Sequence, residues 1–141
     1  MTKIDFLLAV TNKLATVTQL VVKARAQKHM LTIYTVDATM SAAFSQALWL
    51  HPQFLAHSLA GEPESRYAPV LLDHVALNTA PQCDVLINLR PSHPPSFSRF
   101  QHLIEVIGEN EAEKHSARSR YKFYRDRGYA LRHINTGTPR V

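Results

Sequence analysis

Apolar residues come along this chain in short blocks, and the spacing within each block differs. Residues 4–10 (I-D-F-L-L-A-V) form a mostly apolar run that predicts a buried strand. In residues 13–29, Leu14, Val17, Val21 (or Leu20) and Ala24 recur at intervals of three and four, which predicts an amphipathic helix. Lys23, Arg25 and Lys28 load its C-terminal half, where the helix dipole favours cations. Residues 31–36 (L-T-I-Y-T-V) are β-rich and predict a second strand. Asp37 then suits a helix N-cap, and residues 38–50 carry Ala43, Ala47 and Leu50 at helical spacing until Pro52 ends the run.

Strand and helix alternate at the pitch of a crossover unit, so the first two strands are expected to be parallel and paired at the centre of a sheet. Further strands are expected at 70–73 and 84–89, and a short strand or an extended segment at 54–59, with a Gly/Pro/Glu loop at 61–69 and a Pro/Ser loop at 91–98. A helix is expected to begin over 100–107 and to be interrupted by Gly108. Another covers 110–127 with Gly128 at its C′ position, followed by a last strand at 129–134 and a frayed tail at 135–141. The fold expected is one three-layer α/β domain over 1–141, with a mostly parallel sheet flanked by helices.

Composition narrows the chemistry. The four glycines, Gly61, Gly108, Gly128 and Gly137, form neither G-x-G-x-x-G nor G-x-x-x-x-G-K, so the usual phosphate loops are absent, which argues against a nucleotide-binding enzyme even on an α/β fold. The single cysteine, Cys83, excludes an intramolecular disulfide and reads as a thiol beside a buried strand. Eight histidines invite a metal, yet none has another at i+3 or i+4, and no metal or other cofactor is expected. Asp73 with His74, or Asp84 with Asn88, could stand at strand ends, but nothing marks them as catalytic. No apolar run approaches a membrane span, and Asp5 stands where a signal peptide would turn apolar, so a cytoplasmic location is expected.

The net charge of +5 sits entirely in the last 31 residues. Residues 1–110 carry eight basic and eight acidic side chains; residues 111–141 carry eight basic and three acidic. Much of that excess lies on the predicted helix E-A-E-K-H-S-A-R-S-R-Y-K-F-Y-R-D-R-G. At 100° per residue, Lys114, Arg118, Tyr121, Lys122 and Arg125 share an arc of about 100°, while Ala117, Tyr124 and the stem of Arg120 turn toward the sheet. A one-signed arc around an aromatic ring is either a solvated face or a site for phosphates or an acidic peptide. The second marked stretch is A-L-W-L-H-P-Q-F-L, residues 47–55, with the only tryptophan. Trp49 serves either the core or a partner surface, and Leu48 and Trp49 cannot both face the sheet.

At these stretches the chain resembles the chi subunit family of bacterial DNA polymerase III holoenzyme. The resemblance rests on A-L-W-x-x-P followed by F-L-A-H-S-L-A-G-E, on D-V-L-I-N-L-R, and on A-R-S-R-Y-K-F-Y-R-D-R-G-Y. It implies a non-catalytic accessory subunit of the clamp-loader assembly, placed at the nucleoid through the replisome. It implies two partners: psi, the small subunit that links chi to the clamp loader, and the acidic C-terminal tail of single-stranded DNA-binding protein, which ends in Pro-Phe. Carried over by motif, the tail-binding residues are Lys114, Arg118, Tyr121 and Lys122, to which the helical arc adds Arg125 and, by proximity, Arg120. The psi-binding surface matches Trp49, Pro52 and Phe54, with Leu50 and Leu55 beside them. DNA is then reached only through another protein. The rival readings are a basic module that binds single-stranded DNA directly and an enzyme with a degenerate nucleotide pocket.

Overall fold

A computed structural model describes residues 2–53, 55–59, 68–74 and 84–135. Phe54, Cys83, most of the expected 61–69 loop and the expected tail beyond Asn135 lie outside the described residues. The elements run β1 (Lys3–Val10), α1 (Lys13–Ala26), β2 (Leu31–Tyr34), α2 (Ala38–Leu50), β3 (Ser58–Leu59), β4 (Val70–Asp73), β5 (Val85–Asn88), a 3-10 turn (Phe97–Arg99), β6 (His102–Gly108), α3 (Glu111–Asp126) and β7 (Ala130–Asn135). The seven strands form one sheet in the order β3-β4-β2-β5-β6-β1-β7. Every pairing is parallel. Helices cover both faces, which makes the expected three-layer α/β fold.

The near-continuous apolar runs follow from that burial, because an inner strand of a parallel sheet meets a core on each side. On one face Leu7, Ile33, Val85 and Ile104 pack with Val17 and Val21 of α1 and Phe44 and Leu48 of α2. On the other, Phe6, Leu86, Leu103 and Ile107 pack with Ala117 and Tyr124 of α3 and with Phe97 and Phe100 from the segment before β6.

Three expectations need correction. Residues 100–107 do not begin a helix; they enter β6, where Leu103 to Ile107 are all buried. A short apolar run reads as either element, and the Glu at 105 masked the strand because it is itself fully buried. The first two strands are parallel but not neighbours, since β5 and β6 lie between them. The strand expected at 54–59 is confined to Ser58–Leu59.

The two long helices close alike. Gly128 has φ +82°, and the amides of Gly128 and Tyr129 donate to Arg125 O at 3.0 Å and Tyr124 O at 3.2 Å, a Schellman ending. α1 ends three residues before its expected limit by the same bonds, from Lys28 and His29 back to Arg25 and Ala24, with Lys28 held at φ 63°.

Candidate functional site: a basic groove under the last helix

α3 is anchored firmly at its start. Asn110 caps it, accepting the Glu113 amide at 2.8 Å, while the Glu113 carboxylate accepts from Asn110 Nδ2 at 2.8 Å and from the Gly108 amide at 3.3 Å, a reciprocal capping arrangement. Lys13 also pairs with Glu113, tying α1 to α3. Gly108 leaves room for the Glu113 carboxylate, which a side chain at that position would displace from its capping contacts.

The inward face of α3 is locked by a buried network. Glu105 of β6 is fully buried and receives Arg120 Nε at 3.1 Å, Tyr124 OH at 2.6 Å and Asn88 Nδ2 at 2.9 Å. Arg120 spends Nη1 on Pro91 O at 2.6 Å and Ser116 Oγ at 2.9 Å. Burial pushes the Glu105 carboxyl above its ordinary value, against the pull of Arg120, Tyr124 and Asn88. Arg120, added to the binding arc on proximity, is thus a core residue.

The outward arc overhangs a groove of about 500 Å³ between α3 and the β6-β1-β7 edge of the sheet. Lys114, Arg118, Tyr121, Lys122 and Arg125 all line it. Its remaining lining is largely apolar, with Phe6 and Leu8 from β1, Ile107 from β6 and Ala117 from α3. Tyr121 stands within it, edge-on to Phe6 at 5.7 Å and stacked on His133 of β7 at 4.7 Å and 24°. β1 shifts register between Leu7 and Val10, and Ala9, in the groove lining, takes φ 57° there.

The four cations are not equivalent. Lys114 lies 3.6 Å from Glu111, and Arg125 lies 3.5 Å from Asp126, both at the surface. Arg118 and Lys122 have no ion pair or hydrogen-bond partner among the described residues, and both are exposed. Phe6, Leu8, Ile107 and His133 were not anticipated as lining. The alternation of Phe6 and Leu8 along β1 is visible in the sequence, but the adjacency of β1 to β6 and β7 is not.

The tryptophan stretch lies elsewhere, at the end of α2. Leu48 is fully buried, Trp49 is 49% exposed and Leu50 is 74% exposed. The Trp49 ring rests on His57 at 4.5 Å, and His57 is fixed by Ser45 Oγ at 2.7 Å and Leu55 O at 2.8 Å. Pro52 is exposed beside them. Leu55 belongs to the core: it is buried, and its amide donates to Leu48 O at 3.2 Å.

At the C-terminal ends of β2 and β5, where α/β folds hold nucleotides, Arg90 and Asn88 are already engaged. Arg90 lies over the Tyr34 ring at 4.7 Å and donates to His74 O at 2.9 Å. Asn88 is bound to Glu105, and Asp84 accepts the Met30 amide at 2.9 Å at the opposite end of β5, so Asp84 and Asn88 do not form a pair. Among the described residues no three or more metal-ligating side chains converge, and no helix is long and apolar enough to cross a membrane.

The sequence comparisons agree with one another. The family model described as DNA polymerase III chi subunit, HolC, matches residues 1–132. DNA polymerase III subunit chi of Escherichia coli is 31% identical over 131 residues, covering 89% of this chain and 87% of that protein. The subunit chi of Pseudomonas aeruginosa is 30% identical over 139 residues, covering 93% and 94%. That of Haemophilus influenzae is 31% identical over 85 residues, covering 60% and 59%. The chain belongs to the DNA polymerase III chi subunit family, accessory and not catalytic subunits of a replicative polymerase.

Proposed function

We propose that the groove under α3 binds the acidic C-terminal tail of single-stranded DNA-binding protein, and that the Trp49–Leu50 surface binds psi. One observation carries the first assignment: an apolar groove is rimmed by four cations, two of which have no partner among the described residues. An acidic peptide would be drawn in by the rim while its last ring rests on Phe6, Leu8 and Tyr121. Arg118, whose planar fork has N–H groups free to donate to two oxygens, is the natural partner of the terminal carboxylate.

The energetics suit a tether. Exposed charge pairs contribute ~0.2–1 kcal/mol each, so such a contact is salt-sensitive and exchanges quickly. The Trp49–Leu50 surface is the reverse, two large apolar side chains exposed side by side, and supports a salt-tolerant contact. Trp49→Ala is expected to abolish co-purification with psi while leaving peptide binding intact.

Direct binding of single-stranded DNA is the competing reading. Strand-binding grooves interleave cations with several rings free to stack bases. Here the one ring amid the cations, Tyr121, is already stacked on His133. Titrating the chain with an acidic peptide ending in Pro-Phe, and separately with a single-stranded oligonucleotide at the same salt, tests the assignment. Tighter binding of the peptide supports it; tighter binding of the oligonucleotide overturns it.

A further inference from the structure

His133 is one of eight histidines and had no role assigned. It stands on the edge strand β7, on the face shared with Leu131 and Asn135, and lines the groove. Its ring stacks on Tyr121 at 4.7 Å and lies 6.1 Å from Phe6. It is exposed, so an incoming ligand can reach it.

Among the described residues, the charged groups that line the groove with it are of one sign. From α3 the groove receives Lys114, Arg118, Lys122 and Arg125, with the Tyr121 hydroxyl; from β1 it receives Phe6 and Leu8. No carboxylate lines the groove among the described residues. Asp5 and Arg132 face the opposite side of the sheet, where they pair with each other and Asp5 meets His102. A polyanion bound in the groove brings carboxylates to an exposed imidazole, and an opposite charge at close range favours the imidazolium.

We infer that His133 is a ligand-gated cation of the groove: an acidic peptide binds with uptake of a proton at His133, so its affinity rises as pH falls through the range in which histidine changes charge. The inference rests on the groove's taking an acidic peptide, as proposed above. The aspartates of such a ligand stay ionised well below that range, so they do not contribute to the pH dependence.

The test is calorimetric titration of the full chain with a synthetic peptide of aspartates ending in Pro-Phe with a free carboxylate. It is run at pH 6 and pH 8, and at pH 7 in two buffers of different ionisation enthalpy. The expected result is about two- to five-fold tighter binding at pH 6, as for one added exposed charge pair, with net proton uptake at pH 7. His133→Gln keeps a polar side chain and is expected to bind with no proton uptake and no pH dependence. His115→Gln, on α3 but outside the groove lining, is expected to keep both. Loss of the Tyr121 stacking alone would lower affinity equally at both pH values, so the pH slope isolates the charge. Unchanged affinity between pH 6 and 8 in the unmodified chain, or a slope that survives His133→Gln, overturns the inference while leaving the groove assignment standing. Absence of binding at both pH values overturns the groove assignment and this inference with it.

Discussion

Arg118 and Arg120 are two residues apart on one helix and have opposite fates. Arg118 points into solvent at the groove rim, without a partner among the described residues. Arg120 is 5% exposed and tied to Glu105, Pro91 and Ser116. The rotation of about 200° between them makes one cation available to a ligand and the other part of the core. A count of basic residues on α3 therefore overstates the charge it offers, and the remainder is structural. The carboxylates divide in the same way. Burial pushes Glu105 up despite its partners. Burial also acts to raise Asp5, but hydrogen bonds from Arg132 and His102 outweigh it and hold Asp5 below the ordinary range.

The largest test of this contrast is Arg120→Ala. It leaves Glu105 buried without its ionic partner and is expected to destabilise the fold by about 3–5 kcal/mol in a denaturant titration. Arg120→Met with Glu105→Leu should recover most of that loss, because the pair is then removed together. Arg118→Ala should do the converse: peptide affinity falls by about 1–3 kcal/mol, as for a lost charge-assisted hydrogen bond, while stability moves by less than about 0.5 kcal/mol. If Arg118→Ala unfolds the chain, or Arg120→Ala leaves stability untouched, the division of α3 into two faces fails.

Asp5 gives a smaller, pH-resolved test. Its lowered carboxyl stabilises the fold above the unfolded-state value and loses that contribution as pH falls through the native one. Stability curves of the native chain and Asp5→Asn should therefore converge below about pH 4 and separate above it. Curves that stay parallel across that range would remove Asp5 from the account. Lys122→Ala is the mildest change, expected to cost peptide affinity about 0.2–1 kcal/mol and to flatten its salt dependence.

Much of this was legible in the sequence, for identifiable reasons. The binding arc was legible because it lies within one helix, where 100° per residue converts spacing directly into a face. All five of its residues line the groove. That Leu48 and Trp49 could not both face inward was legible by the same rule; that Leu48 takes the inward position was not. What depends on strand order was not. Nothing local announces that β1 lies between β6 and β7, so Phe6, Leu8, Ile107 and His133 could not be assembled into the groove's lining. The run at 100–107 was not legible as a strand, because a short apolar run suits helix or strand alike and β6 is fixed by its pairing with β5 and β1.

The central claim is that the groove under α3 receives an acidic peptide at a place distinct from the Trp49 surface. Amide and indole chemical shifts of the isotopically labelled chain, followed through titration with the aspartate-rich Pro-Phe peptide, test it most directly. The account predicts progressive shifts at Phe6, Arg118, Tyr121 and His133, with the Trp49 indole unmoved. Shifts centred on Trp49 and Leu50, or none at the groove while the peptide binds, would contradict it.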